Sequence, residues 1–422
     1  MNHSALNVFQ DKRLVGELRV EDDCWQFQYD DIWLRAEIFA PGLSPQFGKR
    51  KQAFVDTRSD KPVQNFFENM LPDGCMRTLF DQVPGNEDSL GLLTRMGHDL
   101  PGSLSLESQE RRPAKQQSAH RLSVGAFPNL RHFNKLVETS GVVPGAQLKL
   151  SADLQGTVIT TLNPDRASRL IIKAGSAGQR GVNNKSVLNE WYCTRLAKQI
   201  GFDTSFFEVS RLFGGSMIIR RFDRMRKGGQ VDRLPVINGC QALGISHLLA
   251  SERFTAAALY ELASQSSQPS KTLRRFFAWL CFNTLIGNSD VGLNDLSFSM
   301  NVDEMRNIKL DLLPLYDLSS ELGESALPAK ASIFRGQDLH KITFDQVVDI
   351  ADDLNYNTEA AHVDFEAILR STKEALGTME DVLFKEINQI RYYESIRLGE
   401  AEHTYLRSVG RAIEKQVDRL IG

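Results

Sequence analysis

Alternating apolar and polar residues near the start of the chain predict short antiparallel strands. Residues 14–20, 24–29 and 33–39 carry this pattern, and acidic residues that favour turns separate them. Residues 66–74, which read FFENMLPDG, then bring aromatic side chains into a turn punctuated by proline and glycine. Residues 76–83 continue with helical character, so the pattern predicts a strand meander followed by a packed helical corner.

The pattern changes at two further places. Residues 101–123 are polar and charged with almost no apolar periodicity, which predicts a surface linker. Strands are then predicted around one helix at residues 186–200, and they cover residues 147–150, 157–161, 169–174 and 216–221. From residue 239 onward the apolar residues recur with a helical period, in residues 254–264, 272–285, 344–353, 364–376, 379–396 and 400–420.

These changes predict an α+β fold in three parts. Residues 1–120 form a small β-rich N-terminal subdomain with its linker, residues 121–240 a β-rich lobe, and residues 241–422 an all-α lobe. A chain of 422 residues, 41% of them hydrophobic, is long enough to bury several cores. A β-rich lobe followed by a helical lobe has the outline of a two-lobed protein kinase, although that outline alone does not select the fold.

Composition restricts the partners and the compartment. Lys and Arg number 50 against 53 Asp and Glu, so the net charge of -3 gives no bulk attraction to nucleic acid or anionic membranes. The five cysteines and eight histidines show no zinc or redox spacing, and a lone histidine such as His247 is usually a surface or hydrogen-bonded residue. We therefore expect no transition metal and a reducing cytosol. Without a secretion signal or an apolar run of 18 residues, the sequence predicts a cytoplasmic protein with no membrane partner.

Two aspartates are candidates for catalysis. Asp290 ends the segment IGNSD and Asp317 ends LPLYD, about 27 residues later, and each follows an apolar run. Phosphoryl transfer from ATP needs one carboxylate to accept the proton of the attacking hydroxyl and another to hold magnesium across the phosphates. The spacing fits these two tasks, although the pattern alone favours ordinary carboxylates in loops.

Lys173 and Glu190 form a second candidate pair. Lys173 lies in the apolar run LIIK, and a buried lysine usually needs an anion, such as an ATP phosphate, to keep its charge. Glu190, on the predicted helix that follows, could orient this lysine as a helix glutamate does in protein kinases. A lysine that extends its ammonium to solvent and a solvated glutamate explain the same residues equally well.

Two glycine-containing segments are candidate phosphate loops. Residues 143–149 read VPGAQLK, in which Gly145 permits close backbone approach and Lys149 supplies positive charge. Residues 175–181, GSAGQRG, are a second candidate, and an ordinary surface loop explains either segment. Residues 42–49 have the wrong glycine spacing for a Walker A motif, which argues against a P-loop fold.

Seven segments, taken in order, resemble the motifs of the HipA family of bacterial toxins. They read FFENMLPDGCMR, PGAQLK, NEWYCTRLAKQIGF, IIRRFDR, CQALGI, FNTLIGNSD and LPLYDLSS, and they span roughly residues 10–340. The resemblance implies a serine/threonine protein kinase that is the toxin of a type II toxin–antitoxin system. A kinase of small molecules on the same two-lobed fold fits the aspartates but not the first of these segments.

The resemblance also implies roles for particular residues and partners. Asp290 would be the catalytic base, ATP and Mg²⁺ the cofactors, and an aminoacyl-tRNA synthetase the phosphorylated protein. A HipB-like helix-turn-helix antitoxin would bind the toxin, and operator DNA would be reached mainly through that antitoxin. The implied ATP-binding residues are Gly145, Gln147, Lys149, Lys173 and Glu190, and the implied magnesium ligands are Asp295 and Asp317.

Residues 290–295 depart from the family pattern. The family loop usually reads Asp-x-His-x-Lys-Asn, whereas this chain has DVGLND, so Gly292, Asn294 and Asp295 replace the histidine, the lysine and the asparagine. An aspartate still provides oxygen ligands for Mg²⁺. Loss of the other two side chains removes charge and positioning, and effects of ~10²-fold are expected from such losses. The alternative function is therefore a degenerate pseudokinase that binds nucleotide and acts as a co-repressor with the antitoxin.

Two further departures concern regulation and the hinge. Val142 stands where the family often carries a serine that is autophosphorylated, so this self-inactivation is not expected here in its usual form. The hinge segment, residues 235–238, reads PVIN and lacks the usual acidic residue, which predicts that nucleotide contacts there come mainly from the backbone.

Overall fold

The protein was analysed as a computed structural model. The residues that it describes are all except 1–3, 37–41, 82–87, 110–119, 124–135, 137–139, 142, 156–157, 162–166, 179–180, 184, 211–214, 229, 323–331, 335 and 388–398.

The first unit is built on a five-stranded antiparallel sheet. Its strands are paired in the order β4-β3-β2-β1-β5. The alternation seen in the sequence turns one face of the sheet inward, where Val8, Leu18 and Phe27 are fully buried. The strands are β1 Ser4–Gln10, β2 Arg13–Glu21, β3 Cys24–Tyr29, β4 Phe54–Val55 and β5 Leu104–Ser108.

The strand predicted at residues 33–39 is wrong where the structure describes it. Asp31–Arg35 is a short helix, α1, because the carboxylate of Asp30 accepts hydrogen bonds from the amides of Ile32 (2.8 Å) and Trp33 (3.4 Å). This N-terminal cap outweighs the apolar alternation that follows it. Residues 37–39 lie outside the described part.

The predicted helical corner is present. Helix α2, Pro62–Glu68, is followed by a turn at residues 69–73 and by helix α3, Gly74–Asp81, and helix α4 covers Ser89–Met96. Phe66 and Phe67 of α2 are buried, and the ring of Phe67 lies 6.1 Å from that of Phe27. The aromatic pair therefore anchors α2 to the sheet.

The segment predicted as a linker, residues 101–123, contains a strand at each end. Strand β5 pairs with β1 in the first sheet, and β6, His120–Ser123, pairs with β8, Val158–Thr161, in the second. Both pairings join parts of the chain far apart in sequence, which local polarity does not reveal. Residues 110–119 lie outside the described part.

The second unit is a six-stranded antiparallel sheet covered by one helix. The strand order is β12-β13-β9-β7-β8-β6, and Lys149 stands directly opposite Lys173 in the pair β7 and β9. Helix α5 is Lys185–Gln199, close to the predicted bounds. The remaining strands of the unit are β7 Lys149–Gln155, β9 Leu170–Ala174, β10 Ser176–Gly178, β11 Gly181–Asn183, β12 Phe207–Ser210 and β13 Ser216–Arg220.

The third unit is mainly helical, but it also contains strands. A hairpin and a short hinge strand lead into it: β14 Arg224–Lys227, β15 Gln230–Arg233 and β16 Val236–Asn238. Strands β17, Ser297–Val302, and β18, Ile308–Leu312, form a sheet with β16, so the predicted all-α lobe contains a β-hairpin. The helices are α6 Gly239–Leu243, α7 Ala256–Ser264, α8 Pro269–Ile286, α9 Phe344–Asp353, α10 Thr358–Ile387 and α11 Glu400–Ile421.

Helix α10 is continuous where two helices were predicted. Gly377, which lies between the two predicted ranges, is inside the helix, with no atom within 4 Å of the position that a β-carbon would occupy. A glycine inside a helix costs only about 1 kcal/mol relative to alanine, which the rest of a 30-residue helix offsets. No helix in the described part of the chain is long and apolar enough to cross a bilayer.

A buried ionic cluster joins the first unit to the second. Asp99 accepts hydrogen bonds from Arg224 (3.0 Å) and Ser151 (3.2 Å), and Arg221 donates to Asp223 (2.8 Å) and to the carbonyl of Leu100 (3.0 Å). Burial alone would raise the pKa of Asp223, but Arg221 and Arg224 lower it to about 2. The pKa of Asp99 is lowered for the same reason. Both carboxylates are therefore ionised and tie the two units together.

Candidate functional site

A cleft of about 1200 Å³, including its open mouth, lies between the second and third units. One part is lined by apolar and aromatic side chains from β9, β13, β16 and the segments that follow β13 and β18. Phe222 and Tyr316 stand there with their ring centroids 5.8 Å apart. The other part is lined by charged side chains. The first part is here called the apolar half of the cleft and the second part the ionic half.

Lys173 is at the centre of the ionic half. Its Nζ lies 2.5 Å from Oε2 of Glu190 on α5 and 2.5 Å from Oδ1 of Asp317, which follows β18. Burial opposes the charged form, but Asp317 and Glu190 together raise the pKa of Lys173 above its usual value. Lys173 is therefore a charged ammonium held between two acids from opposite sides of the cleft.

Lys149 is a second ammonium in the ionic half. It faces the cleft beside its strand partner Lys173, and it forms no ion pair with any residue that the structure describes. Burial lowers the pKa of Lys149, with Asp317 acting in the opposite direction. A half-buried cation without an ion-pair partner among the described residues favours the entry of an anion into the cleft.

Gly145 makes room for this ammonium. Its φ is +99°, and a β-carbon added to it would lie 2.6 Å from Nζ of Lys149. The backbone conformation therefore favours glycine, and any larger residue would also displace the end of the Lys149 side chain. Gln147, from the same segment, is exposed and lies outside the described lining of the cleft.

Asp317 is held in an unusual backbone conformation. Its φ is +58°, in the left-handed region that aspartate and asparagine enter more readily than most residues. Although burial opposes ionisation, Lys173 and Lys149 lower the pKa of Asp317 to about 2. The cleft therefore holds one carboxylate that stays ionised at neutral pH, fixed by its backbone and by Lys173.

Asp290 and Asp295 lie in the loop after α8. The helix ends at Gly287, whose φ is +64°, and Asp295 then accepts a hydrogen bond from the amide of Gly292 (2.8 Å). Burial, with Asp317 second, raises the pKa of Asp295 well above its usual value. Asp290 is exposed and is not among the residues that line the cleft, although Asp317 and Asp73, which line it, act electrostatically on Asp290. Burial, followed by Asp317, raises the pKa of Asp290. The loop thus places one acid inside the cleft and one outside its lining.

Six of the eight site residues predicted from the sequence line the same cleft. They are Gly145, Lys149, Lys173, Glu190, Asp295 and Asp317. Asp290 and Gln147 are exposed and are not among the lining residues. The second glycine-rich candidate forms the hairpin β10–β11, and none of its described residues lines the cleft. Val142 lies outside the described residues.

Asp73 and His247 are among the lining residues that were not predicted as parts of the site. Asp73 belongs to FFENMLPDG, which indicated only a packed corner, and His247 was interpreted as a surface or hydrogen-bonded residue. Oδ1 of Asp73 and Nδ1 of His247 are buried without a hydrogen-bond partner among the described residues. For Asp73 the only signal in the sequence was the flanking proline and glycine. These residues mark a turn, but they do not indicate which part of the protein the turn contacts.

The comparisons with known proteins cover nearly the whole chain. The family model of the HipA N-terminal domain matches residues 6–107, and that of the HipA-like C-terminal domain matches residues 141–382. A solved structure from Shewanella oneidensis MR-1 is similar to this chain with a TM-score of 0.77. It is the complex of the toxin–antitoxin proteins HipA and HipB of that organism with their operator DNA. That match has 19% identity and covers 99% of this chain and 97% of the other.

A second solved structure is more distant. The proinflammatory kinase CtkA of Helicobacter pylori matches with a TM-score of 0.36 and 12% identity, over 64% of this chain and 89% of that one. This level of similarity is too low to establish a shared fold.

Proposed function

The chain belongs to the HipA family of toxin–antitoxin systems, and we propose that it is a serine/threonine protein kinase that transfers the γ-phosphate of ATP to a protein. One observation carries the proposal: Lys173 from the β-rich lobe meets Asp317 from the helical lobe at 2.5 Å inside a cleft. Phosphoryl transfer depends on such positioning and charge, because the protein contributes little covalent chemistry.

The ionic half of the cleft fits the phosphates of ATP. Lys149 is an ammonium with no partner among the described residues, and Gly145 leaves its Nζ uncovered. Lys173 would contact the phosphates while Glu190 holds its side chain in place. The apolar half, with Phe222 and Tyr316, suits the base.

Asp317 and Asp295 fit the task of holding magnesium. No three histidine, cysteine, aspartate or glutamate side chains are grouped for metal binding anywhere in the described part of the chain. Mg²⁺ usually binds through one or two carboxylates together with substrate phosphates, so a partial set of ligands is what a kinase needs. When bound, the ion would neutralise charge on the phosphates.

Asp290 is in a suitable place to act as the catalytic base. It is exposed, so the hydroxyl of a protein substrate can reach it, and Asp317 and Asp73 of the cleft act on it electrostatically. Its raised pKa, caused first by burial and then by Asp317, makes it a better proton acceptor than an ordinary aspartate. We propose that Asp290 orients the attacking hydroxyl and takes its proton.

The proposed reaction is tested by incubating the purified protein with ATP and Mg²⁺ and searching it for phosphate by mass spectrometry. We expect a phosphorylated serine or threonine on the protein itself or on an added aminoacyl-tRNA synthetase, the substrate class that we propose. Asp290→Asn should transfer phosphate ~10²-fold more slowly, because general-base catalysis contributes at least that much. Transfer at the wild-type rate by this variant would rule out Asp290 as the base.

A second function is favoured by the state of Asp295. One oxygen of this carboxylate already accepts a hydrogen bond from the amide of Gly292, and burial raises its pKa, so its proton competes with a metal. The chain would then be a pseudokinase that binds nucleotide and acts as a co-repressor. Growth arrest that survives Asp317→Ala, with no transfer under any divalent metal, would establish this function in place of the first.

Gly145→Ala should weaken ATP binding about tenfold or more. The new methyl group would meet Nζ of Lys149 at 2.6 Å and strain a backbone whose φ is +99°. Gly201→Ala is the matched control, since its φ is +97° and nothing lies within 4 Å of the added atom. Titration with a fluorescent ATP analogue measures both. Equal affinities in the two variants would show that the backbone at Gly145 and the position of the Lys149 ammonium beside it do not limit ATP binding.

The partners follow from the same proposal. The Shewanella structure contains HipA with HipB and operator DNA, and we propose a HipB-like helix-turn-helix antitoxin for this chain as well. A net charge of -3 gives little attraction to DNA, so operator contact would come mainly through the antitoxin, in the cytoplasm. Co-purification of this protein with the product of a short adjacent helix-turn-helix gene tests the pairing.

A further inference from the structure

The N-terminal subdomain contacts the loop that carries Lys149. Residues 71–76 comprise the end of the turn after α2 and the first residues of α3, and they are here called the 71–76 turn. They lie against residues 143–149, here called the 143–149 loop. Pro72 and Gly145 form a parallel β-bridge, and the amide of Met76 donates a hydrogen bond to the carbonyl of Ala146 (3.3 Å). The amide of Lys149 lies 3.4 Å from Sδ of Met76. The turn and the loop therefore meet at three points, between residues 72–76 and residues 145–149.

The contact leaves no space between the two segments. Gly74 has a φ of +47°, and a β-carbon added there would lie 2.6 Å from Cβ of Ala146. Real β-carbons do not approach each other so closely, so any larger residue at position 74 must push the 143–149 loop away.

The same subdomain is also fixed to the helical lobe. Asn65 donates to the carbonyl of Gly244 (3.1 Å), Asn69 donates to that of Ile245 (2.9 Å), and Gln241 donates to that of Phe66 (3.1 Å). Asn65 and Phe66 belong to α2, and the 71–76 turn follows this helix closely in the chain. Its position, and that of the loop resting on it, is thus set relative to both lobes.

Asp73 brings a charge from the turn into the cleft. It lines the ionic half, and its Oδ1 is buried without a hydrogen-bond partner among the described residues. Its carboxylate acts electrostatically on both Lys149 and Asp290. A negative charge at this place opposes the entry of bare phosphate and tolerates phosphate whose charge a cation has reduced.

We infer that the 71–76 turn is a wall of the nucleotide site, which holds the 143–149 loop in place while Asp73 disfavours nucleotide that carries no metal. This inference rests on the proposed function, and it adds a subdomain outside the two lobes to the binding site. Asp73 is in this sense a positioning and selectivity residue, since no contact with the reacting atoms is assigned to it.

Gly74→Ala tests the wall. We expect the affinity for a fluorescent ATP analogue with Mg²⁺ to fall about tenfold, because the added methyl group displaces the loop that holds Lys149. Gly228→Ala is the control, since its φ is +57° and nothing lies within 4 Å of the added atom. Equal affinity in these two variants, at similar melting temperatures, would overturn the inference.

Asp73→Asn tests the negative charge that Asp73 brings into the cleft. If Gly74→Ala does not fold, this variant alone tests the inference. Its affinity for the analogue in EDTA should rise about threefold or more, and its affinity in Mg²⁺ should change less. Asp81→Asn, at the exposed end of α3, should alter neither value. If the ratio of the affinity in Mg²⁺ to the affinity in EDTA were the same in Asp73→Asn as in the wild-type protein, Asp73 would not select metal-bound nucleotide. Failure of the wild-type protein to bind any nucleotide would instead overturn the proposed function, and this inference with it.

Discussion

Asp317→Asn should lower phosphate transfer by at least ~10³-fold while the protein stays folded. The substitution removes the carboxylate that stays ionised in the cleft, where burial is outweighed by Lys173 and Lys149, which lower its pKa to about 2. Lys173 keeps Glu190 as a partner at 2.5 Å, so no buried charge is left alone. Asparagine also tolerates the backbone at this position, where φ is +58°.

The matched control is Asp23→Asn. Asp23 has a φ of +61° and lies exposed in the turn between β2 and β3, so the same substitution is made in the same backbone region outside the cleft. Transfer is measured as incorporation of labelled phosphate at saturating ATP and Mg²⁺, and folding as the melting temperature. If Asp317→Asn retained activity within tenfold of the control, Asp317 would not hold the metal.

Asp99→Asn should lower the free energy of unfolding by ~3–5 kcal/mol, as expected when one member of a buried ionic group is removed. The guanidinium groups of Arg221 and Arg224 lie 3.6 Å and 3.0 Å from Asp99, and both are buried. After the substitution Asp223 remains as their carboxylate partner. Asp418→Asn, which removes an exposed ion pair with Lys373, should change stability by less than ~1 kcal/mol. Urea denaturation measures both variants.

The same cluster predicts how stability depends on pH. The pKa values of Asp99 and Asp223 are lower in the folded protein than in the unfolded chain, so their contribution is complete above about pH 4. It is lost as the pH falls through the folded values, which for Asp223 is about 2. The wild-type protein should therefore lose stability between these limits more steeply than Asp99→Asn. Parallel curves would contradict the assignment.

Predictions from sequence succeeded where the decisive interactions are local. Helix α9, Phe344–Asp353, has the bounds that were predicted, because Thr343 and Gln346 form a capping box at its start. The strand predicted at residues 33–39 was wrong because the helix cap at Asp30, which acts over only three residues, outweighs the apolar alternation. The helix cap and the strand-like alternation are both local signals, and the cap determined the structure of residues 31–35.

The candidate site was predictable in its members but not in its geometry. The spacing of Asp290 and Asp317 and the apolar surroundings of Lys173 identified residues suited to phosphate chemistry. The register that sets Lys149 opposite Lys173 depends on the pairing of β7 with β9, which neither strand specifies alone. Asp73 was missed for a similar reason, because it enters the cleft from another subdomain.

The ionic cluster around Asp99 has a consequence for how the protein can be divided. The family models end at residue 107 and begin again at residue 141, which suggests a fragment starting near the second boundary. Such a fragment would retain Arg221, Arg224 and Arg233 together with Asp223, but it would lose Asp99, the other acid of the cluster, and the carbonyl of Leu100. Excision at that point would thus expose three arginines with one carboxylate between them, a local excess of positive charge that favours binding of nucleic acid without specificity.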